Sequence, residues 1–370
     1  MAASDDLEAL RRAIDAADDA LLEAAARRQR LSAQIRDLKA ASALPAFDRD
    51  RERAVMARAA ARADALGLDP EAARGLLSAL LRAPERAPAP QTLTPARLLL
   101  IGGDGQMGRL LARHLRARGH EVDVLEPGDP RDVAAVVAGA DVAMLCVPMA
   151  AAASVAAAVA PHVRPDALLC DINSLKVEVC AAMARGCRGE VLGTHPLFGP
   201  SVGSLWRQTI ALCAVRVGPR AAWLTAELAQ MGLELIHTTP DDHDRAMALI
   251  QALTHLHTLA LGDALRRLGA SPSLDDPLAS PAWRLALCVL GRLLGQDPDL
   301  YAGIALDNPH AADAARALGA SAAALAEIVA AGDQGAFCDL FAASADHLRD
   351  LNPEATRRSD ALLALVSQDP

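Results

Sequence analysis

Three glycines, Gly103, Gly105 and Gly108, stand in the run LLLIGGDGQMGRLLARHL with the spacing GxGxxG. Placed after a strand and at the start of a helix, this spacing makes a turn whose backbone can approach a pyrophosphate. The first glycine permits the tight turn, the second the close approach, and the third the contact between helix and strand. Gln106 and Met107 lie between the last two and are assigned to the same cofactor turn. Glu126 ends the next expected strand, about 20 residues on, where a carboxylate accepts ribose hydroxyls and repels a 2′-phosphate. That favours NAD over NADP. A glycine-rich turn that binds nothing accounts equally well for the three glycines alone, but not for strand, helix and terminal Glu together.

Three later segments group polar residues in apolar surroundings: 171–176 (DINSLK), 193–199 (GTHPLFG) and 280–292 (SPAWRLALCVLGR). In a doubly wound fold the first two fall at the carboxyl ends of strands, where ligands gather. Pro196 holds His195 in an extended or turn conformation. An imidazole titrating near ~6.5 suits removal of a hydroxyl proton while hydride leaves the same carbon. Taken alone, His195 reads as a surface loop residue. Arg284 lies in an apolar helical stretch and needs an anion, either a bound ligand or an internal partner such as Asp276 or Asp297. Lys176 reads as a pocket cation or as a solvated lysine at a helix start. His243, His255 and His257 share one helical stretch, but His243 lies too far along it to join His255 on one metal. With no HExxH and no Cys/His cluster, no metal site is expected.

The elements that must position these groups change character along the chain. Over residues 7–38 the apolar positions Leu7, Leu10, Ile14, Ala17, Leu21, Ala24, Leu31, Ile35 and Leu38 follow a heptad and predict one long coiled-coil-like helix. Two helices follow at 48–65 and 70–82, the second capped by Asp69 with Pro70 in its first turn. Prolines then exclude regular structure over 83–95. Short apolar runs at 97–101, 121–125, 141–147 and 167–171 alternate with helical stretches, which predicts a Rossmann-type, doubly wound parallel sheet. Further strands are expected at 191–193, 211–217 and 233–237, and only helices from 241 onward. The expected division is an all-helical domain at 1–83, a linker at 84–95, an α/β nucleotide-binding domain at 96–239 and an all-helical substrate and dimerisation domain at 240–370.

Composition agrees with an α and α/β multidomain enzyme. The 370 residues are 52% hydrophobic and 22% charged with a formal charge of -9, which reads as a mildly acidic globular protein with no nucleic-acid partner. Only 2% are aromatic, so core volume must come from Leu, Val, Ile and Ala. Seven cysteines without a CxxC pair suggest reduced thiols and a cytoplasmic location. The acidic start does not resemble a targeting peptide. The uncharged run 142–161 is about long enough to span a bilayer, but Pro148 and its alanines point instead to a buried strand entering a core helix, with no membrane partner.

The segments IGGDGQMGRL, VLEPGD, VLGTHPLFGP with GSL after it, DDHDRAMALIQAL, SPAWRL and GRLLGQDPDLY, in this order, carry a resemblance over nearly the whole chain. The chain resembles the T-proteins, in which chorismate mutase is fused to prephenate dehydrogenase in tyrosine biosynthesis. The resemblance implies that His195 is the base for the ring hydroxyl proton, that Arg284 binds a substrate carboxylate, and that Lys176 and Gln251 line the pocket. It also implies feedback by tyrosine. In the helical domain it falls on Arg11, Arg28, Lys39, Asp48, Arg51 and Glu52. Lys39 would face the ether oxygen, Arg28 and Arg11 the carboxylates, and Glu52, with Asp48 nearby, the ring hydroxyl.

Elementary geometry supports the mutase part. Arg28 occupies a seam position of the heptad, where a charge needs an anion, and Lys39 projects from nearly the same face about 16 Å along the helix. Arg11 lies about 25 Å from Arg28 on that helix, so it can reach the same substrate only from an antiparallel partner, which predicts a homodimer. Pro84 and Pro88 depart from such mutases, whose last helix often supplies Ser and Gln. Alternatives stay open: arogenate as the oxidised substrate, a mutase-like domain that only dimerises or binds an effector, and a nucleotide-sensing regulator without turnover.

Overall fold

The computed structural model describes residues 2–41, 48–82 and 94–368. The helical segment comprises α1 (Ala2–Ala41), α2 (Arg49–Ala65) and α3 (Pro70–Arg82). Asp48 caps α2 by accepting the Arg51 N–H at 2.9 Å, and Asp69 caps α3 by accepting the Ala72 N–H at 2.9 Å. These bonds satisfy amide groups that a helix start leaves orphaned. Helices α2 and α3 pack on each other. The heptad seam of α1, including Leu10, Ile14, Leu31 and Leu38, is exposed within the single chain. Pro84 and Pro88 fall outside the described residues.

The α/β segment runs β1 (Arg97–Ile101), α4 (Gln106–Ala117), β2 (Glu121–Leu125), α5 (Val133–Gly139), β3 (Val142–Leu145), α6 (Met149–Val159), β4 (Leu168–Asp171), α7 (Val177–Gly186), β5 (Glu190–Pro196), β6 (Thr209–Arg216), α8 (Pro219–Gln230) and β7 (Glu234–Thr238). The strands form one sheet in the order β2-β1-β3-β4-β5-β6-β7. The first five are parallel, but β6 runs antiparallel to β5, and β7 is parallel to β6. The cause lies in the connection. A parallel return needs a crossover, usually a helix, whereas 197–208 forms no helix and folds the chain back beside β5.

Alanine, valine and leucine fill both faces of the sheet. Helices α5, α6 and α7 cover one face around Leu145, Ala156, Leu169 and Met183, and α4 and α8 cover the other around Leu100, Leu111, Leu212 and Leu224. The run 142–161 resolves into fully buried β3 followed by α6, as its proline and alanines suggest.

All later regular elements among the described residues are helical: α9 (Pro240–Met247), a π-helical turn (Ala248–Leu253), α10 (Thr254–Arg267), α11 (Pro281–Leu294), α12 (Pro298–Leu306), α13 (Ala311–Ala331), α14 (Gln334–His347) and α15 (Asn352–Gln368). Helix α9 packs against α7, and α11 against α10, which brings this segment to the carboxyl ends of β4 and β5. Helix α13 is long and apolar enough to cross a membrane by length and composition, and its Val329 is exposed.

Candidate active site

The glycine turn leaves β1 at Gly102, which has φ +75 and whose N–H donates to the Leu125 carbonyl at 2.8 Å. The left-handed residue of the turn is therefore Gly102, not Gly103. An L-residue is strained there, and its Cβ would lie 2.8 Å from Val147 Cγ1. Gly103 is required for packing instead, since an added Cβ would lie 2.7 Å from Leu100 Cβ. At Gly108 it would lie 2.4 Å from the Gly103 carbonyl, so helix and turn touch backbone to backbone.

Gly105 differs from the other two. Its nearest neighbour would be the Gly102 carbonyl at 3.7 Å, which leaves the outward side open. It precedes α4 with no side chain capping that helix, so the helix start presents its free amides to an anion. Gln106 is exposed at the first helical position, and Met107 packs half-buried against the sheet. Glu126 stands beside the turn, where one carboxylate oxygen accepts the Asp104 N–H at 2.7 Å.

His195 is buried near the end of β5. Its Nδ1 lies 2.9 Å from His243 Nε2, and His243 Nδ1 lies 2.8 Å from Asp244 Oδ1. This chain of contacts assigns the protons. The Asp244 carboxylate also accepts the amides of Lys176 (2.8 Å) and Val177 (2.9 Å) at the start of α7, so it accepts a hydrogen bond from the His243 Nδ1–H rather than donating one. With its Nδ1–H directed at Asp244, His243 accepts at Nε2, His195 donates from Nδ1, and the free lone pair of His195 is on Nε2. The Gln251 amide nitrogen is 3.4 Å from that Nε2. Burial, then the charge of Lys176 and the neighbouring His243, hold His195 well below the ordinary histidine value of 6.5. Gln251 lies in the π-helical turn, an irregularity frequent at functional sites.

Lys176 is neither solvated nor open to a pocket. Its side chain is fully buried, its ammonium pairs with Asp171 and donates to the Thr194 carbonyl at 2.7 Å, and it ties the ends of β4 and β5 together. Burial raises the Asp171 carboxyl, with Lys176 opposing the shift. Gly193 makes room for this arrangement, because a Cβ there would lie 2.5 Å from Cys180 Sγ and 3.2 Å from Lys176 Cδ. Burial pushes the Cys146 and Cys213 thiols up to about 12, which leaves them un-ionised at neutral pH.

Arg284 is half-buried on α11 with its Nε buried and unpartnered, and neither Asp276 nor Asp297 pairs with it. Gln251 Oε1, His255 Nδ1 and Asn173 Oδ1 are likewise buried without a partner. Helix α11 also carries Arg292, whose Nη2 would lie 3.1 Å from a Cβ on Gly199, in the loop that follows His195. His255 packs edge-on against Tyr301, with ring centroids 4.6 Å apart. Sequence reasoning weighed His243 only as a metal ligand and did not single out Asp244 or Arg292. The DHD run and the second arginine two turns beyond Arg284 were the available signals.

In the helical segment Arg28 reaches the Leu80 carbonyl at the limit of hydrogen-bond distance, 3.5 Å. Arg11 is exposed and pairs with Glu8 at 3.6 Å. Asp48 serves as the cap of α2, with Arg51 exposed in the first turn. Glu52 forms a two-pronged pair with Arg207 of the α/β segment. Lys39 belongs to α1, and its side chain lies outside the described residues.

Comparison with known proteins places these parts together. Residues 10–84 match the model for chorismate mutase type II, 112–214 that for the prephenate dehydrogenase nucleotide-binding domain, and 239–343 that for the prephenate dehydrogenase dimerization domain. A T-protein of Enterobacter agglomerans is 34% identical over 82% of this chain and 82% of its own length. One from Haemophilus influenzae is 32% identical over 82% and 81%. In fold, the chain is similar to a prephenate dehydrogenase from A. aeolicus solved with hydroxyphenyl propionate and NAD+, with TM-score 0.55 and 18% identity over 71% of this chain and 100% of that one. With its mutase, nucleotide-binding and dimerization modules in one polypeptide, the chain belongs to the T-protein family.

Proposed function

We propose that this chain is a bifunctional enzyme of tyrosine synthesis that rearranges chorismate to prephenate and oxidatively decarboxylates prephenate to 4-hydroxyphenylpyruvate with NAD. The observation that carries the dehydrogenase half is the buried relay Asp244–His243–His195, which leaves one basic lone pair beside Gln251.

The residues fit the dinucleotide. Gly105 and the uncapped start of α4 suit the pyrophosphate, and Glu126 stands where ribose hydroxyls are recognised. When bound, NAD supplies the hydride acceptor. His195 Nε2 takes the ring hydroxyl proton, and His243 steadies the positive charge that the imidazole acquires. Arg284, with an unsatisfied Nε, and Arg292, beside the loop after His195, are the cations for the substrate carboxylates. Lys176 acts from behind, fixing the strand ends; burial first, and then its charge, lower the His195 pKa. Loss of CO2 restores aromaticity and makes the step effectively irreversible.

The mutase reaction is pericyclic, so it needs conformational restraint and positive charge near the ether oxygen rather than a titrating base. Arg28 and a partner chain's Arg11 hold the carboxylates, Lys39 faces the ether oxygen, and Glu52, with Asp48 and Arg51 in the same helical turn, meets the ring hydroxyl. The exposed seam of α1 is the face for a second copy, and the enzyme works as a homodimer. We place it in the cytoplasm, with tyrosine as feedback inhibitor. The test supplies purified protein with chorismate, prephenate or arogenate plus NAD and follows NADH. The proposal expects NADH from chorismate and from prephenate. Turnover of arogenate alone would contradict it.

A further inference from the structure

Residues 206–207, at the end of the connection that returns to β6, touch the helical segment at two points. The Trp206 indole N–H donates to the Leu81 carbonyl of α3 at 3.3 Å. The Arg207 guanidinium donates to both oxygens of Glu52 on α2 at 2.8 Å each. Arg207 has φ 61 and is the only non-glycine residue with positive φ among the described residues. Such a conformation is unfavourable for an L-residue and persists where the surroundings impose it. Here they do so from behind: the Arg207 N–H donates to the Gly232 carbonyl at 2.7 Å, Glu234 lies 3.9 Å from the guanidinium, and a Cβ on Gly232 would lie 2.3 Å from the Trp206 ring.

We infer that Arg207, contributed by the dehydrogenase part of the chain, is a positioning residue for the mutase reaction. It holds the Glu52 carboxylate in the orientation that receives the substrate's ring hydroxyl. This rests on the assignment of Glu52 to that hydroxyl. A two-pronged guanidinium bond fixes the carboxylate plane and uses one lone pair on each oxygen, leaving the others free for a hydroxyl donor. The mutase pocket is therefore assembled across the domain boundary, with one supporting cation outside the mutase module.

The strained turn supplies a fold-safe variant. Arg207→Gly removes the guanidinium while favouring the left-handed backbone already present. Mutase kinetics and NAD-dependent prephenate oxidation are measured on the full-length parent and on Arg207→Gly, Arg207→Lys, Glu52→Gln, the Arg207→Gly/Glu52→Gln double variant and Trp206→Phe. Arg207→Gly is expected to raise the chorismate KM about tenfold with kcat changed less than about twofold, as for a contact made equally in ground and transition states. Arg207→Lys should recover part of that loss, and the double variant should be no worse than Glu52→Gln alone. Prephenate oxidation should stay at the parent rate.

An unchanged chorismate KM in Arg207→Gly, with Glu52→Gln impaired, would overturn the role of Arg207. An equal rise in Trp206→Phe would also overturn it, by making the contact a docking point only. If Glu52→Gln itself keeps parent mutase kinetics, the assignment of Glu52 fails first, and the proposal falls with it by a distinguishable route.

Discussion

At the scale of single residues the proposed dehydrogenase mechanism depends on one lone pair, that of His195 Nε2. Its availability follows from the order Asp244, His243, His195. His195→Asn keeps a polar side chain but removes the base, and should lower prephenate turnover by roughly 100-fold or more. His243→Ala leaves the base in place but removes its Nδ1 partner. We expect a smaller loss, roughly tenfold in kcat, with NAD affinity unchanged. The pH dependence has a definite sign. Burial and Lys176 lower the folded-state pKa of His195, so the imidazole stays neutral below 6.5 and the acid limb of kcat/KM should lie on the acid side of that value. The same shift links to stability. Below 6.5 the unfolded chain binds a proton that the folded chain refuses, so the contribution of His195 to stability falls as pH drops from 6.5 towards the lowered value. Denaturant midpoints of the parent and His195→Asn across that window measure it. A parent acid limb at or above 6.5 would contradict the buried-base reading.

At the scale of elements, the turn from β1 into α4 tolerates almost no added volume. Gly108→Ala forces a methyl to 2.4 Å from the Gly103 carbonyl, so helix and turn must separate. We expect about 1–3 kcal/mol of destabilisation together with weaker NAD binding. The parent is expected to use NAD about tenfold or more better than NADP, and Glu126→Ser, which adds no volume to the turn, should narrow that preference; kcat/KM for the two cofactors checks both variants. Much of this architecture was legible in the sequence, because periodicity reports burial. The apolar runs marked the strands, and GxGxxG marked the turn from β1 into α4. What escaped depends on partners distant in sequence. The positive φ sits on Gly102, which the motif does not count, because the turn must meet Val147 and the Leu125 carbonyl. The reversal of β6 follows from a connection lacking a helix. Lys176 looked solvated or pocket-lining because its fully buried setting depends on the Thr194 carbonyl, 18 positions on, as well as on the nearby Asp171. His243 joins His195 across 48 positions, a distance over which spacing carries no information.

At the scale of the whole molecule, two chemistries of different kinds share one chain, fixed cations on helices and a titratable base on a nucleotide fold. On the proposed reading, the exposed seam of α1 and the distance between Arg11 and Arg28 predict a second copy. Mixing Arg11→Ala chains with Arg28→Ala chains should restore part of the mutase activity through hybrid sites, whereas a fully active monomer at low concentration would refute shared sites. The separability of the two chemistries tests the account most directly. Initial rates of chorismate consumption and of prephenate-dependent NADH formation are measured on purified, folded parent, His195→Asn and Lys39→Ala proteins. The account predicts that His195→Asn loses NADH formation and keeps the mutase, and that Lys39→Ala loses the mutase and still oxidises prephenate. NADH formation within a few-fold of the parent in His195→Asn, or loss of both activities from either folded variant, would contradict it.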